Sequence, residues 1–151
     1  MFIIGIDPGT SGGFAIIDDV RRKLTLRKMP DTPKEIFNIL NFFLKASKGE
    51  IFVYIEKVQG LPGMGGSSMF NFGKNSGHLE MAMLALNIPF EQLTPQKWQK
   101  EFQLGTKGNQ TTSVWKNKLK NKAEQLFPDT KMFLWGSDAT LIAEYGRRIK
   151  K

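Results

Sequence analysis

Three acids stand where apolar runs end or a late helix opens. Asp7 closes Phe2-Ile3-Ile4-Gly5-Ile6, Glu56 closes Ile51-Phe52-Val53-Tyr54-Ile55, and Asp138 begins the last helical segment. A strand that delivers a carboxylate to its end and then turns back places one negative charge at a sheet surface. If the strands carrying Asp7 and Glu56 are adjacent and parallel, the two acids emerge side by side, and a helix crossing that edge adds Asp138. Hard divalent cations require such oxygen clusters, and magnesium prefers few protein carboxylates plus waters and a substrate phosphate. Two such ions about 3.5–4 Å apart activate a water and stabilise the leaving oxygen of a phosphodiester. Any one of these acids alone reads as a cap or a solvated element end. Three of them, in this order and within this strand pattern, favour a metal site.

Charge agrees with that chemistry. Against 14 acidic residues stand 22 basic ones, a net charge of +8, and an excess of this size suits a polyanionic partner such as nucleic acid. The chain has no cysteine, which excludes disulfides, thiolate catalysis and zinc–cysteine sites. No apolar stretch approaches the roughly 18 residues of a membrane span. The start runs directly into a strand-like segment without a basic leader, so a cytoplasmic location is expected. At 151 residues a single domain over 1–151 is expected.

The elements that must position the acids are readable from periodicity. Segments 2–7, 13–18 and 23–29 read as three strands joined by tight turns. Thr32-Pro33-Lys34-Glu35 has the form of a capping box with proline in the first turn, and Ile36, Phe37, Leu40, Phe43 and Leu44 follow as a core-facing stripe. Segment 51–56 is a near-continuous apolar run, as in a buried central strand. A glycine-rich loop over 60–66 precedes a helix expected from about Ser68 to Leu86. Segment 89–93 is a short fifth strand, Thr94-Pro95 opens a helical turn, and 105–109 is a basic loop. In the helix 111–126, Trp115, Leu119, Ala123 and Leu126 share one face, and a last helix is expected to begin near Asp138. These elements describe an α/β fold: a five-stranded mixed sheet, three strands antiparallel and then two parallel, flanked by helices.

The motifs in this order resemble one family. Gly5-Ile6-Asp7-Pro8-Gly9 is similar to the opening motif of the RuvC family of Holliday junction resolvases, within the ribonuclease H-like superfamily. Ile55-Glu56-Lys57-Val58 resembles its second acid motif, Gly73-Lys74-Asn75-Ser76-Gly77 the helix after its mobile loop, and Leu93-Thr94-Pro95 its fifth strand. Ser137-Asp138-Ala139-Thr140-Leu141 resembles the segment that carries its final acid. Trp98-Gln99-Lys100, Leu126-Phe127-Pro128 and Glu144-Tyr145-Gly146-Arg147-Arg148 are most similar to short, phage-type members. The resemblance implies a ribonuclease H-like fold, with Asp7, Glu56 and Asp138 as catalytic metal ligands for Mg2+, or Mn2+ in its place. It implies paired nicking of four-way, branched DNA by a homodimer. The sequence departs from the family at Trp135, which stands where an acid or histidine is usual and cannot bind metal. Thr140 stands in place of leucine, and Gln59 in place of an aromatic that wedges into the junction.

Candidate DNA contacts follow from position and charge. The loop 60–66 behind Glu56 reads either as a linker or as a mobile DNA-contacting element with Leu61 or Met64 available to press on bases, and Gln59 is a further candidate DNA contact. Lys107, Lys116, Lys118 and Lys120 read either as solvated positions or as a phosphate-tracking set. Such contacts supply affinity without sequence reading. Phe70 and Phe72 read as core or dimer-face residues, and the apolar residues of the helix 68–86 suit burial on two sides. His78 reads as an ordinary helix histidine. Other readings remain open: a nuclease of this fold acting on an RNA–DNA hybrid, or a branched-DNA-binding module with little or no catalysis. An actin-like ATPase shares an Asp-x-Gly-Thr loop, but it needs a second domain that 151 residues do not accommodate, so no nucleotide cofactor is expected.

Overall fold

The computed structural model describes residues 1–57, 59, 63 and 65–150. In chain order they form β1 (Phe2–Asp7), β2 (Gly13–Asp18), β3 (Lys23–Lys28), α1 (Pro33–Ala46), β4 (Ile51–Glu56), α2 (Gly66–Ala85), β5 (Phe90–Leu93), α3 (Pro95–Glu101), α4 (Thr112–Leu126) and α5 (Leu134–Ile149). The sheet order is β3-β2-β1-β4-β5. β1 pairs antiparallel with β2 and β2 with β3, while β4 runs parallel to both β1 and β5. This is the mixed sheet expected from the sequence.

Strand alternation divides the core in two. Ile4, Ile6, Val53 and Ile55 face a layer built with α1 and α2. Ile3, Ala15, Tyr54 and the half-buried Phe52 face the opposite layer, built with α3, α4 and α5. The same period of two carries Asp7 to the face of Ile3, and Glu56 to the face of Phe52 and Tyr54. Both acids therefore stand on the α5 side.

Helix α5 is held unusually close to the sheet. A Cβ at Gly5 would collide with the Ala139 carbonyl and the Ala143 backbone, and one at Gly146 would enter the Tyr54 ring. With the sheet on one side and α3 and α4 on the other, every residue from Gly136 to Gly146 is buried. Buried Glu144 is satisfied by Arg147, at 2.7 and 2.8 Å, and by Arg148 at 3.0 Å. These two arginines are tied into the helix.

Several boundaries differ from the sequence expectation. α5 begins at Leu134, a full turn before Asp138, and α2 begins at Gly66 and ends at Ala85. Phe37 lies on the exposed side of α1 rather than in its core stripe. The cap of α1 is as expected, with Thr32 Oγ1 accepting the Glu35 N–H at 3.2 Å and donating to the Glu35 carboxylate at 2.8 Å.

Gly5→Ala tests the close approach. Overpacking at a backbone contact with no room to yield is expected to cost about 3 kcal/mol or more. At about 2–4 °C per kcal/mol for a chain of this size, a clear fall in thermal midpoint should follow. Gly136→Ala, whose added methyl meets only the flexible end of Leu26 at 3.1 Å, is expected to melt close to the parent protein.

Candidate active site

The register aligns Ile6 with Ile55, so Asp7 and Glu56 leave the sheet together at the carboxyl ends of parallel strands. Crevices beyond such strand ends are where open α/β sheets bind ligands. The turn after β1 is shaped around the first acid. Gly9 N–H donates to Asp7 Oδ1 at 3.1 Å. A Cβ at Gly12 would lie 2.6 Å from the Asp7 carboxyl carbon, so only glycine leaves that carboxylate its place. From the other side, the Asn75 side-chain amide of α2 donates to the Pro8 carbonyl at 2.6 Å and braces the turn.

α5 brings Asp138 to the same edge, and the three acids interact. Burial first, then the charge of Asp138, pushes Asp7 up to about 6. Burial, then Asp7 and Asp138, pushes Glu56 up to about 8. Lys116 opposes these shifts, donating from Nζ to Asp138 Oδ2 at 2.7 Å. Burial alone would lower the Lys116 pKa, but Asp138 and the other two acids raise it. The Trp98 indole lies near enough to Glu56 to favour its carboxylate. Its N–H nonetheless reaches hydrogen-bond geometry with no acceptor among the described residues.

These side chains fit a divalent cation. Asp138 Oδ1 is buried without a hydrogen-bond partner among the described residues, an arrangement that costs free energy unless something binds it. Among the described residues no group of three acids or histidines is drawn together tightly enough to cage a metal by itself. The like charges repel, and Lys116 holds one of them in place.

The other sequence candidates are spread more widely. Lys118 donates to the Leu104 carbonyl at 2.6 Å, Lys107 to the Thr112 hydroxyl at 3.0 Å, and Lys120 lies 3.3 Å from Glu124. Only Lys116 of this group enters the acid site. Gln59 is exposed beyond β4, whereas Leu61 and Met64 lie outside the described residues. Thr140 is buried, and its hydroxyl donates to the Gly136 carbonyl at 2.7 Å. Sequence reasoning missed Asn75 as the brace of the first turn, Trp98 as the neighbour of Glu56, and Phe133, which stacks on Trp135. A buried stripe on the helix 111–126 fixed which lysines flank it, but not that α5 passes on the Lys116 side.

The architecture and the acids at its parallel strand ends define a ribonuclease H-like fold. No protein-family model matches the sequence, and no curated protein matches it. Solved structures do. The T. thermophilus RuvC structure in complex with Holliday junction substrate matches with a TM-score of 0.66 and 16% identity, over 99% of this chain and 97% of that one. A second Thermus thermophilus RuvC structure matches with a TM-score of 0.65 and 17% identity, over 99% and 96%. The chain therefore has the RuvC-like form of this fold over essentially its whole length.

The raised acids make a stability prediction. An unfolded glutamate titrates near 4.5, whereas Glu56 in the folded chain titrates near 8. Between these values the folded state holds a proton that the unfolded state has released. Stability is thus expected to fall as pH rises from about 4.5 to 8. Glu56→Gln, melted in chelator at pH 8, is expected to gain about 1 kcal/mol, moving the thermal midpoint up by about 2–4 °C. Metal affinity should run the opposite way, rising with pH over 6–8, because bound cations displace carboxyl protons. A titration calorimetry series in Mn2+ reads that directly.

Proposed function

We propose that this chain is a divalent-metal-dependent endonuclease that cuts branched DNA, four-way junctions in particular, and acts as a homodimer. One observation carries the reading. Asp7, Glu56 and Asp138 meet at one sheet edge, where burial and the neighbouring acids raise the proton affinity of Asp7 and Glu56, and a buried Asp138 oxygen is left unpartnered among the described residues. The RuvC-like fold and a structural relative described with a Holliday junction substrate support the substrate class, as does the net charge of +8.

Asp7, Glu56 and Asp138 would hold Mg2+ or Mn2+, which supplies Lewis acidity at the phosphodiester oxygens. The chain's own residues set the conditions for that chemistry. Gly9 and Gly12 fix the Asp7 carboxylate against the turn. Burial keeps the acids poorly solvated, so that they bind a cation in preference to standing charged and alone. Lys116 places a positive charge at the entrance, where a DNA phosphate arrives. The remaining lysines of α4 and the loop at 105–109 supply salt-sensitive backbone affinity.

Dimerisation is supported by α2. Its Phe70, Met81 and Leu84 are 68%, 62% and 59% exposed, far above what an isolated helix face would favour. Gly73 and Gly77 lie between them, with open space where a Cβ would stand. Positions 70, 73, 77, 81 and 84 follow helical spacing, so a second copy of α2 can approach closely at the glycines and bury the large residues. Paired active sites on a two-fold axis suit a substrate with two strands to cut.

The direct ion pair between Lys116 and Asp138 favours one alternative, a branched-DNA-binding protein with weak catalysis. Synthetic four-way junctions, linear duplex and an RNA–DNA hybrid, incubated with and without Mg2+, separate the readings. Expected is metal-dependent cutting confined to the junction. Asp7→Asn and Glu56→Gln should reduce cutting to background and leave junction binding intact. Junction binding without cutting at any metal concentration would establish the binding module instead. Met81→Glu combined with Leu84→Glu is expected to yield a monomer by light scattering and to replace paired nicks with single ones.

A further inference from the structure

The entry into α5 breaks a local rule. The residue preceding a helix is ordinarily Ser, Thr, Asp or Asn, whose side chain closes a free backbone N–H. Here it is Phe133, which makes no cap, and it is followed by the exposed Leu134. Local rules broken without a packing reward mark functional positions. Phe133 keeps 39% of its surface exposed, so it is not recruited to the core.

What it does make is a flat, supported surface. The Phe133 ring stacks on Trp135 with centroids 5.4 Å apart and planes 12° from parallel. Trp135 is fixed from beneath by Gly13, where a Cβ would lie 2.9 Å from Cε3 of the indole. Cations meet the stack: Lys131 Nζ lies over the Phe133 ring, 5.3 Å from its centroid, on a flexible side chain that must swing off the ring for a base to stack there, and Arg27 and Lys28 are exposed on the neighbouring edge strand. Position completes the picture. Trp135 precedes Asp138 by three residues on α5, so the two share a helix face about 5–6 Å apart at Cβ. A phosphate lying at the acids leaves its neighbouring nucleotide within reach of the stack.

We propose that Phe133 and Trp135 form a stacking platform for one unpaired nucleobase adjacent to the phosphate at the acid site, with Lys131 and Arg27 on the adjoining backbone. Flat ring faces bordered by cations match a base and its phosphates, and they match no acidic or apolar protein surface as well. Stacking on ring faces tolerates all bases, with modest preference for those that stack strongly. The platform thus biases which nucleotide lies next to the cut without reading base edges. The placement beside a phosphate rests on the nuclease reading above; the stacking itself does not.

The test therefore uses no metal and no cleavage. A short single-stranded oligonucleotide, and the same backbone made abasic, are titrated in chelator across a salt series and followed by fluorescence anisotropy. Phe133→Ala is expected to weaken the oligonucleotide about tenfold, to leave the abasic strand unchanged, and to keep the salt slope, because no phosphate contact is lost. Phe133→Tyr should restore binding. Lys131→Ala should instead weaken both strands and reduce the slope by about one. The platform is overturned if wild type shows no preference for the base-bearing strand, or if Phe133→Ala binds both strands as wild type does. Equal losses on both strands overturn it too. Wild type that stacks bases yet never cuts junctions would sink the nuclease reading alone.

Discussion

Strand β1 and helix α5 meet where neither contributes a large side chain. Gly5 lies directly on the backbone of Ala139, the residue next to Asp138, and of Ala143, about one helical turn further along. A contact of this kind has no slack, because no rotamer change can absorb a shift. The two strand-end acids are set by the register of β1 with β4, and the helical acid by this backbone contact. Their proximity is thus imposed by packing around them, which is necessary for groups that repel. The Gly146–Tyr54 contact and the complete burial of α5 from Gly136 to Gly146 supply the stabilisation that holds those charges together.

The electrostatics follow from that imposed geometry. Without a strong counter-charge, neither Asp7 nor Glu56 ionises at its ordinary pH, and the edge is a place where positive charge is scarce and wanted. Lys116 supplies one unit and takes one oxygen of Asp138. The other oxygen stays buried and unmet. An ammonium is a compact point charge with its own hydrogens to place, so it neutralises one carboxylate and cannot bridge three. On the proposed reading, Asp7, Glu56 and Asp138 would hold a divalent ion, which would supply the positive charge that Lys116 alone does not.

Much of this was legible in the sequence, for identifiable reasons. Apolar runs with a period of two, ending in acids, report both the strand and the face on which the acid emerges, as with Asp7 and Glu56. Thr32 and Glu35 report a helix start because capping is local chemistry. The start of α5 was misplaced because its leading residue is Phe133, which carries none of the usual cap signals. Lys116 was assigned to solvent or DNA because a helix wheel shows which side a residue takes, but not which neighbour lies there. The family resemblance read from motifs and the RuvC-like fold arrive at the same architecture by separate routes. The motifs are conspicuous only in their order, which is why 16% identity still carries one shape.

Trp135 then has a structural meaning beyond the ligand it fails to be. Gly13 pairs with Asp7 across the sheet, and the space a side chain would need there is filled by the Trp135 ring. The indole therefore walls the site on the β3 side directly beside the first acid. An apolar wall excludes water from that flank, and burial is the largest cause of the raised Asp7 and Glu56 values. A fourth carboxylate at this position would add charge and hydration together. An indole adds neither, so the flank beside Asp7 stays apolar. The acids thus have both a lysine from α4 and an aromatic ring as neighbours, and on the proposed reading these meet the charged and the flat parts of a nucleotide.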